Sequence, residues 1–249
     1  MLPIIYHKTL TSAMDEAAKQ AALGHEHCPH GTAIIAGYQT HGRGSKGRSW
    51  NSNPDDNLMC AIVLRYTPGG IPQAITLKTG LAVLQTLEAT FPSLNQRLQI
   101  KWPNDVYIID DKCGGGLGGG KISGILTEAT ITADAATVIV GIGINLWQSS
   151  FPDSLPLASS LALNGILPEN AGPDEKTQTI QALTQNIQSY LLNINDLKPE
   201  AINKRLFMQG KTISFQTPQG LVQGRLDGVA ANGEIIIAGK AYISGEILL

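Results

Sequence analysis

Three apolar runs rich in β-branched residues constrain this chain most: TAIIAGYQ (32–39), NLMCAIVLRY (57–66) and TVIVGIGINL (137–146). Runs of this kind read as strands. ISGILTEATI (122–131) reads as another, and RLQIKWPNDVYII (97–109) as two short strands broken at Pro103. Between them lie segments of helical character. SAMDEAAKQAAL (12–23) is rich in good helix formers, with Ser12 placed to cap it and acidic residues in its first turn. QAITLKTGLAVLQTLEATF (73–91) has apolar residues at helical spacing and should pack on the sheet. Further helices are expected over 156–164, 174–193 and 198–207. From Lys211 onward the pattern changes to short strands with turns at PQG, ANG and AGK, which suits a small β-barrel. A chain of 249 residues, 43% of them hydrophobic, is long enough for one large domain plus a small one.

Composition removes several function classes. A net charge of −2 provides no general field for non-specific nucleic-acid binding, so any positive site must be local. A purely nucleic-acid-binding role for the basic loop and terminal barrel is therefore disfavoured. Cys28, Cys60 and Cys113 form no C-x-x-C pair and leave one unpaired, as expected of reduced thiols and a cytoplasmic setting. No apolar run approaches the ~20 residues of a membrane span. MLPIIYHKTL lacks the basic start and long apolar stretch of a signal peptide. HEHCPH contains His25, His27, Cys28 and His30, but the second ligand pair of a zinc site is missing, so it reads as a polar connection. CGGGLGGGK (113–121) has the glycine and lysine spacing of a phosphate loop. Ile122 stands where that loop needs a metal-binding hydroxyl, and a strand follows instead of a helix. Residues 113–120 therefore read as a mobile surface loop.

Three segments carry polar residues inside otherwise apolar patterns. In YQTHGRGSKGRSW (38–50), Gly42, Gly44 and Gly47 permit close backbone approach, Arg43, Lys46 and Arg48 bring three cations, and Trp50 offers a flat face. The loop suits an anionic ligand such as a nucleotide or an acyl phosphate, or it is simply a solvated loop. In KWPNDVY (101–107), Lys101 sits between apolar residues, where an unpaired charge is costly. Asp105 could bind Mg²⁺, or Pro103-Asn104-Asp105 is turn chemistry alone. In the third segment Lys121 leads into a strand, Gly124 leaves room for a ligand, and Asn145 ends the run VGIGIN. Gly141 and Gly143 would mark a β-bulge if that run were purely structural.

Taken in order, GRGSKGRSW, KWPND, K-x-x-G-I-L-x-E (Lys121 to Glu128) and GIGIN resemble the motifs of the biotin protein ligase family, from about Ser12 to the final SGEILL. The resemblance implies an α+β fold: a mixed, largely antiparallel sheet flanked by helices over residues 1–208, and a small SH3-like β-barrel over 209–249. It implies activation of biotin with ATP and Mg²⁺ to biotinyl-5′-AMP, then transfer to a lysine of a biotin carboxyl carrier domain of acetyl-CoA carboxylase. Carried over by motif, Lys121 and Arg43 are the catalytic cations. Ser12, Gln39, Gly42, Arg43, Gly44, Lys121 and Gly124 would surround biotin. Arg43, Ser45, Arg48, Trp50, Lys101, Asn104 and Asn145 would face ATP or the adenylate. Asp105 would position Mg²⁺ or Lys101.

Two departures stand out. The family's loop commonly has a further arginine where this chain has Ser45, so adenylate retention should be weaker. The early family motif is often Ser-Thr, whereas Ala13 follows Ser12 here, and Ser12 itself could serve only as a helix cap. The family's helix-turn-helix repressor segment finds no counterpart, so no DNA partner is expected, while a homodimer is common among such proteins. The same fold hosts lipoate and octanoate ligases and transferases, the nearest alternative activity.

Overall fold

The computed structural model describes residues 2–109 and 119–249. The loop reading of 113–118 and Cys113 lie outside the described residues. Gly119 and Gly120 already belong to a strand.

The apolar runs assemble into one seven-stranded sheet. Its strands are β1 (Ile4–Leu10), β2 (Thr32–Gln39), β3 (Asn57–Tyr66), β4 (Leu98–Lys101), β5 (Asp105–Ile109), β6 (Gly119–Ile131) and β7 (Ala136–Asn145). They lie in the order β1-β2-β3-β7-β6-β5-β4. Only β1 and β2 run parallel; every other neighbouring pair is antiparallel. Side chains alternate between the faces. Ala33, Ile35, Leu58, Cys60, Ile62, Val138, Val140 and Ile142 belong to the larger core, with helices α2 (Ile75–Thr90) and α3 (Pro173–Leu192). Ile34, Ala36, Ala61, Val63 and Ile139 form a smaller core with helix α1 (Ala13–Ala22). Because α1 covers only part of its face, the rest of that face is left for a cleft. Burial pushes the Cys60 thiol up to about 12, so it is a neutral core group.

Several expectations change. The expected helix over 156–164 does not form. The backbone is instead drawn alongside β6: Lys121 N donates to Leu157 O (2.7 Å) and Ser159 N to Lys121 O (2.9 Å). Residues 146–172 are an irregular connection from β7 to α3. The helix expected over 198–207 shortens to α4 (Pro199–Asn203), because Ile100 N donates to Arg205 O and Phe207 N to Ile100 O beside β4. Nor is there a bulge at Gly141 or Gly143, since β7 pairs residue for residue with both β3 and β6. Strand β1 was not anticipated.

The tail forms β8 (Thr212–Thr217), β9 (Gly220–Val229), β10 (Ile235–Ile237), β11 (Lys240–Tyr242) and β12 (Glu246–Leu248), a five-stranded antiparallel sheet ordered β11-β10-β9-β8-β12. Its interior of Ile213, Phe215, Leu226, Ile235 and Ile247 joins the main core. Trp102 is the bridge: its ring lies 5.7 Å from Phe215 and its Nε1 donates to Gly233 O (2.9 Å). The KWPND turn is thereby fixed against the tail sheet.

Candidate active site

A cleft of about 690 Å³ opens on the face that α1 leaves uncovered. One end lies at the start of α1. Ser12 occupies the N-cap position but its hydroxyl makes no cap bond. The cap comes from β2, where Gln39 Oε1 accepts from Ala13 N (2.7 Å). The Ser12 hydroxyl is buried, lacks a hydrogen-bond partner and lines the cleft. A purely capping role for Ser12 is thus overturned. With its oxygen committed, the Gln39 amide has its NH₂ group left to donate.

The floor is the β6–β7 pair. Gly124 faces Gly143 in register, and the Trp50 indole lies across both. A β-carbon on Gly124 would come 2.8 Å from the ring, and one on Gly143 would overlap it. These glycines seat an aromatic ring where any side chain would displace it. The Trp50 Nε1–H is buried without a partner. Trp50 arrives from the 40–56 connection, which folds back so that Trp50 N donates to Gly42 O (2.8 Å) and Gly44 N to Arg48 O (2.7 Å). Gly42 lies behind the wall, where a β-carbon would meet Trp50 O at 2.7 Å.

Every one of Lys121, Arg43, Arg48 and Lys101 lines this cleft. Three of them are matched with carboxylates from other elements. Lys121 Nζ lies 2.7 Å from Asp105 Oδ1 and 5.6 Å from the Trp50 ring centre. Arg43 bonds both oxygens of Glu128 (2.6 and 3.1 Å) and pairs with Asp15 (2.9 Å). Arg48 (3.4 Å) and its neighbour Lys46 (2.9 Å) share Glu246 of β12. The hydrogen bond from Lys46 holds the Glu246 carboxyl below its usual range. Lys101 is buried, which pulls its ammonium below the ordinary lysine value, with Asp105 and Glu246 opposing that shift.

The remaining expected residues have defined bonds. Asn104 Nδ2 donates to Ile125 O (2.9 Å), so this amide pins β6. Asn145 Nδ2 donates to Ser159 O (2.9 Å), while its buried Oδ1 has no partner. Ser45 Oγ accepts from Arg48 Nη2 (3.1 Å). All three line the cleft, as does Gly44. The cleft also includes residues that sequence reasoning missed: Met14, the 151–158 segment and the tail residues Glu246 to Leu249. Glu246 carries no local signal, because its partners lie about 200 residues away.

Chemically, the cleft offers the Ser12 and Gln39 hydrogen-bonding groups beside α1, the aromatic face of Trp50, and cations from three separate segments: Arg43 and Arg48, Lys101, and Lys121. Such a site can hold a molecule with a polar head and a carboxylate, and bring that carboxylate to a phosphate. A resident metal has little to bind it: among the described residues no three His, Cys, Asp or Glu side chains cluster. Asp105 supplies a single carboxylate, already paired to Lys121. That donor set fits only a Mg²⁺ ion carried in chiefly by phosphates.

The chain is similar to known proteins in sequence and fold. The chain is 35% identical over 164 residues to the bifunctional ligase/repressor BirA of Bacillus subtilis, covering 64% of this chain and 46% of that one. It is 28% identical over 197 residues to biotin–[acetyl-CoA-carboxylase] ligase of Mycobacterium tuberculosis, covering 76% and 66%. It thus spans less than half the length of the bifunctional relatives. Biotin protein ligase from Aquifex aeolicus, solved with biotin and ATP, has a similar fold, with a TM-score of 0.73 at 25% identity, covering 100% of this chain and 98% of that one. The family model of the biotin/lipoate A/B protein ligases matches residues 7–145, more than half the chain, and the protein belongs to that family.

Proposed function

We propose that this protein is a biotin protein ligase, joining biotin to ATP as biotinyl-5′-AMP and passing the biotinyl group to a lysine of a biotin carboxyl carrier domain. The observation that carries this reading is the two-ended cleft. An unpartnered Ser12 hydroxyl and the Gln39 NH₂ lie at one end, and Lys121, Arg43, Arg48 and Lys101 line the rest. The ureido group of biotin needs hydrogen-bonding partners, whereas the dithiolane of lipoate does not. That difference favours biotin over the lipoate alternative. The relatives named as biotin ligases, one of them solved with biotin and ATP, support the same pair of ligands.

The chemistry brings two anions together. Biotin's carboxylate attacks the α-phosphorus, the Pα–O bond to pyrophosphate breaks, and pyrophosphate leaves. Lys121 and Arg43 exchange their carboxylate partners for these groups and stabilise the charge that develops. Lys101 and Arg48 hold the phosphates, with Ser45 and Asn145 beside the nucleotide. Asp105 would be the protein carboxylate that holds ATP-borne Mg²⁺, which would neutralise phosphate charge there. Gly44 keeps the backbone close to the acyl chain, while Gly124 seats the Trp50 ring that walls the mixed anhydride from water. In the second half-reaction the carrier amine attacks the acyl carbon and AMP leaves. Residues 1–208 would act as the catalytic unit and 209–249 as a small unit that braces it, in the cytoplasm.

Incubation with ATP, Mg²⁺ and either biotin or lipoate tests the reading. Biotinyl-AMP, pyrophosphate and labelled carrier are expected with biotin. Pyrophosphate release with lipoate alone would overturn it. Lys121→Ala should lower single-turnover adenylation by about 10²–10³-fold at an unchanged melting temperature.

A further inference from the structure

Two irregular walls enclose the cleft: residues 40–56, which carry Arg43 to Trp50, and the 146–172 connection, which carries Phe151 to Ala158. At their roots lies one buried carboxamide, Gln148, which does not line the cleft. Its Oε1 accepts from Asn57 Nδ2 (2.6 Å) and from Asn53 N (3.3 Å), both on the first wall or its root. Its Nε2 donates to Ser150 O (3.0 Å) on the second. Asn57 completes the knot, since its Oδ1 accepts from Leu146 N (2.9 Å). Asp56 adds two ties: its carbonyl accepts from Trp147 N (2.8 Å), and its carboxylate pairs with Lys176 of α3 (2.7 Å).

We infer that Gln148 is a positioning residue that couples the two walls, so that a ligand ordering one wall also orders the other. The physical ground is that Asn57 and Gln148 are 1% and 3% exposed. A carboxamide pair so deeply buried holds a fixed geometry, because neither partner can turn to water without loss. Among the described residues these bonds tie the roots of the two walls together. Ordering one wall therefore reduces the conformational entropy still to be lost by the other, and the two ligands gain positive coupling. This rests on the reading of the cleft as a site for biotin and ATP together. Gln148 touches neither ligand, so its loss should separate coupling from binding.

Calorimetric titration of α,β-methylene ATP, with and without saturating biotin, measures the coupling. The parent should bind the analogue about tenfold more tightly when biotin is present. Gln148→Met fills the same volume without polar atoms, and should bring that factor close to one while binding biotin alone nearly as well as the parent. Gln148→Glu keeps the acceptor toward Asn57 and Asn53 but sets an acceptor against Ser150 O in place of the Nε2 donor, so it too should lose the coupling. Should Gln148→Met not fold, Gln148→Ala replaces it, because water can then bond the freed Asn57 amide. A purely structural role would lower the melting temperature and weaken both ligands alike at an unchanged factor. That result, or a parent with no coupling, overturns the inference. A parent that binds neither ligand overturns the functional reading as well.

Discussion

Gly143 shows how a single missing β-carbon creates a binding surface. The strand around it is regular, so no turn or bulge demands glycine. What demands it is the Trp50 ring lying directly against the backbone, just as Met14 Sδ would sit 2.6 Å from a β-carbon on Gly141. Gly143→Ala should lift the indole and displace whatever binds beside it. Displacements near 1 Å cost about 10²-fold in rate. We expect a loss of that order in kcat/KM for biotin, read by pyrophosphate release. An unchanged value would mean that the ring is free to relocate. That site residues would gather in one cleft was legible in the sequence where chemistry and spacing coincide, as in GRGSKGRSW and KWPND. Pairings were not legible where the partner is remote: neither Asp15 nor Glu128 announces that it will hold Arg43, because only the fold brings them together.

At the level of elements, β2 and β3 match their sequence segments residue for residue, since long apolar runs with polar ends leave little freedom. Strand β1 escaped notice because IIYHKTL lies at the sheet edge with Tyr6 well exposed, so its side chains show no clean alternation. The segment PLASSLALN has helix-like leucine spacing, yet backbone bonds to Lys121 and Asn145 override it. The 40–56 connection holds its shape through backbone bonds and a Ser45–Arg48 contact. Ser45→Arg would add a cation at the cleft wall and should slow escape of the adenylate. The check is the release rate of labelled biotinyl-AMP after rapid dilution. Release as fast as in the parent would show that the position does not govern retention.

Across the whole molecule, the tail sheet acts on the cleft through Glu246, which anchors Lys46 and Arg48 of the 40–56 wall. Glu246→Gln should raise KM for ATP several-fold at pH 7 while leaving biotin affinity unchanged. Surface pairs of this exposure contribute little to stability, so the melting temperature should hold. The acid dependence has a definite sign. Because the Glu246 carboxyl is depressed in the folded protein, the tie is complete above its ordinary value of 4.5 and is lost as pH falls through the lowered one. KM for ATP in the parent should therefore be flat between pH 6 and 8, and a wild-type KM in the variant would show that the tail acts by other contacts.

The matched acids have one more consequence. Since Asp105, Glu128, Asp15 and Glu246 cancel the cationic groups while the cleft waits, the resting protein presents no strong lure to stray phosphate or free nucleotide. Only a guest that displaces several of these internal counter-ions together would gain the full attraction, so the cleft would sort its guests by how many charges they can exchange at once.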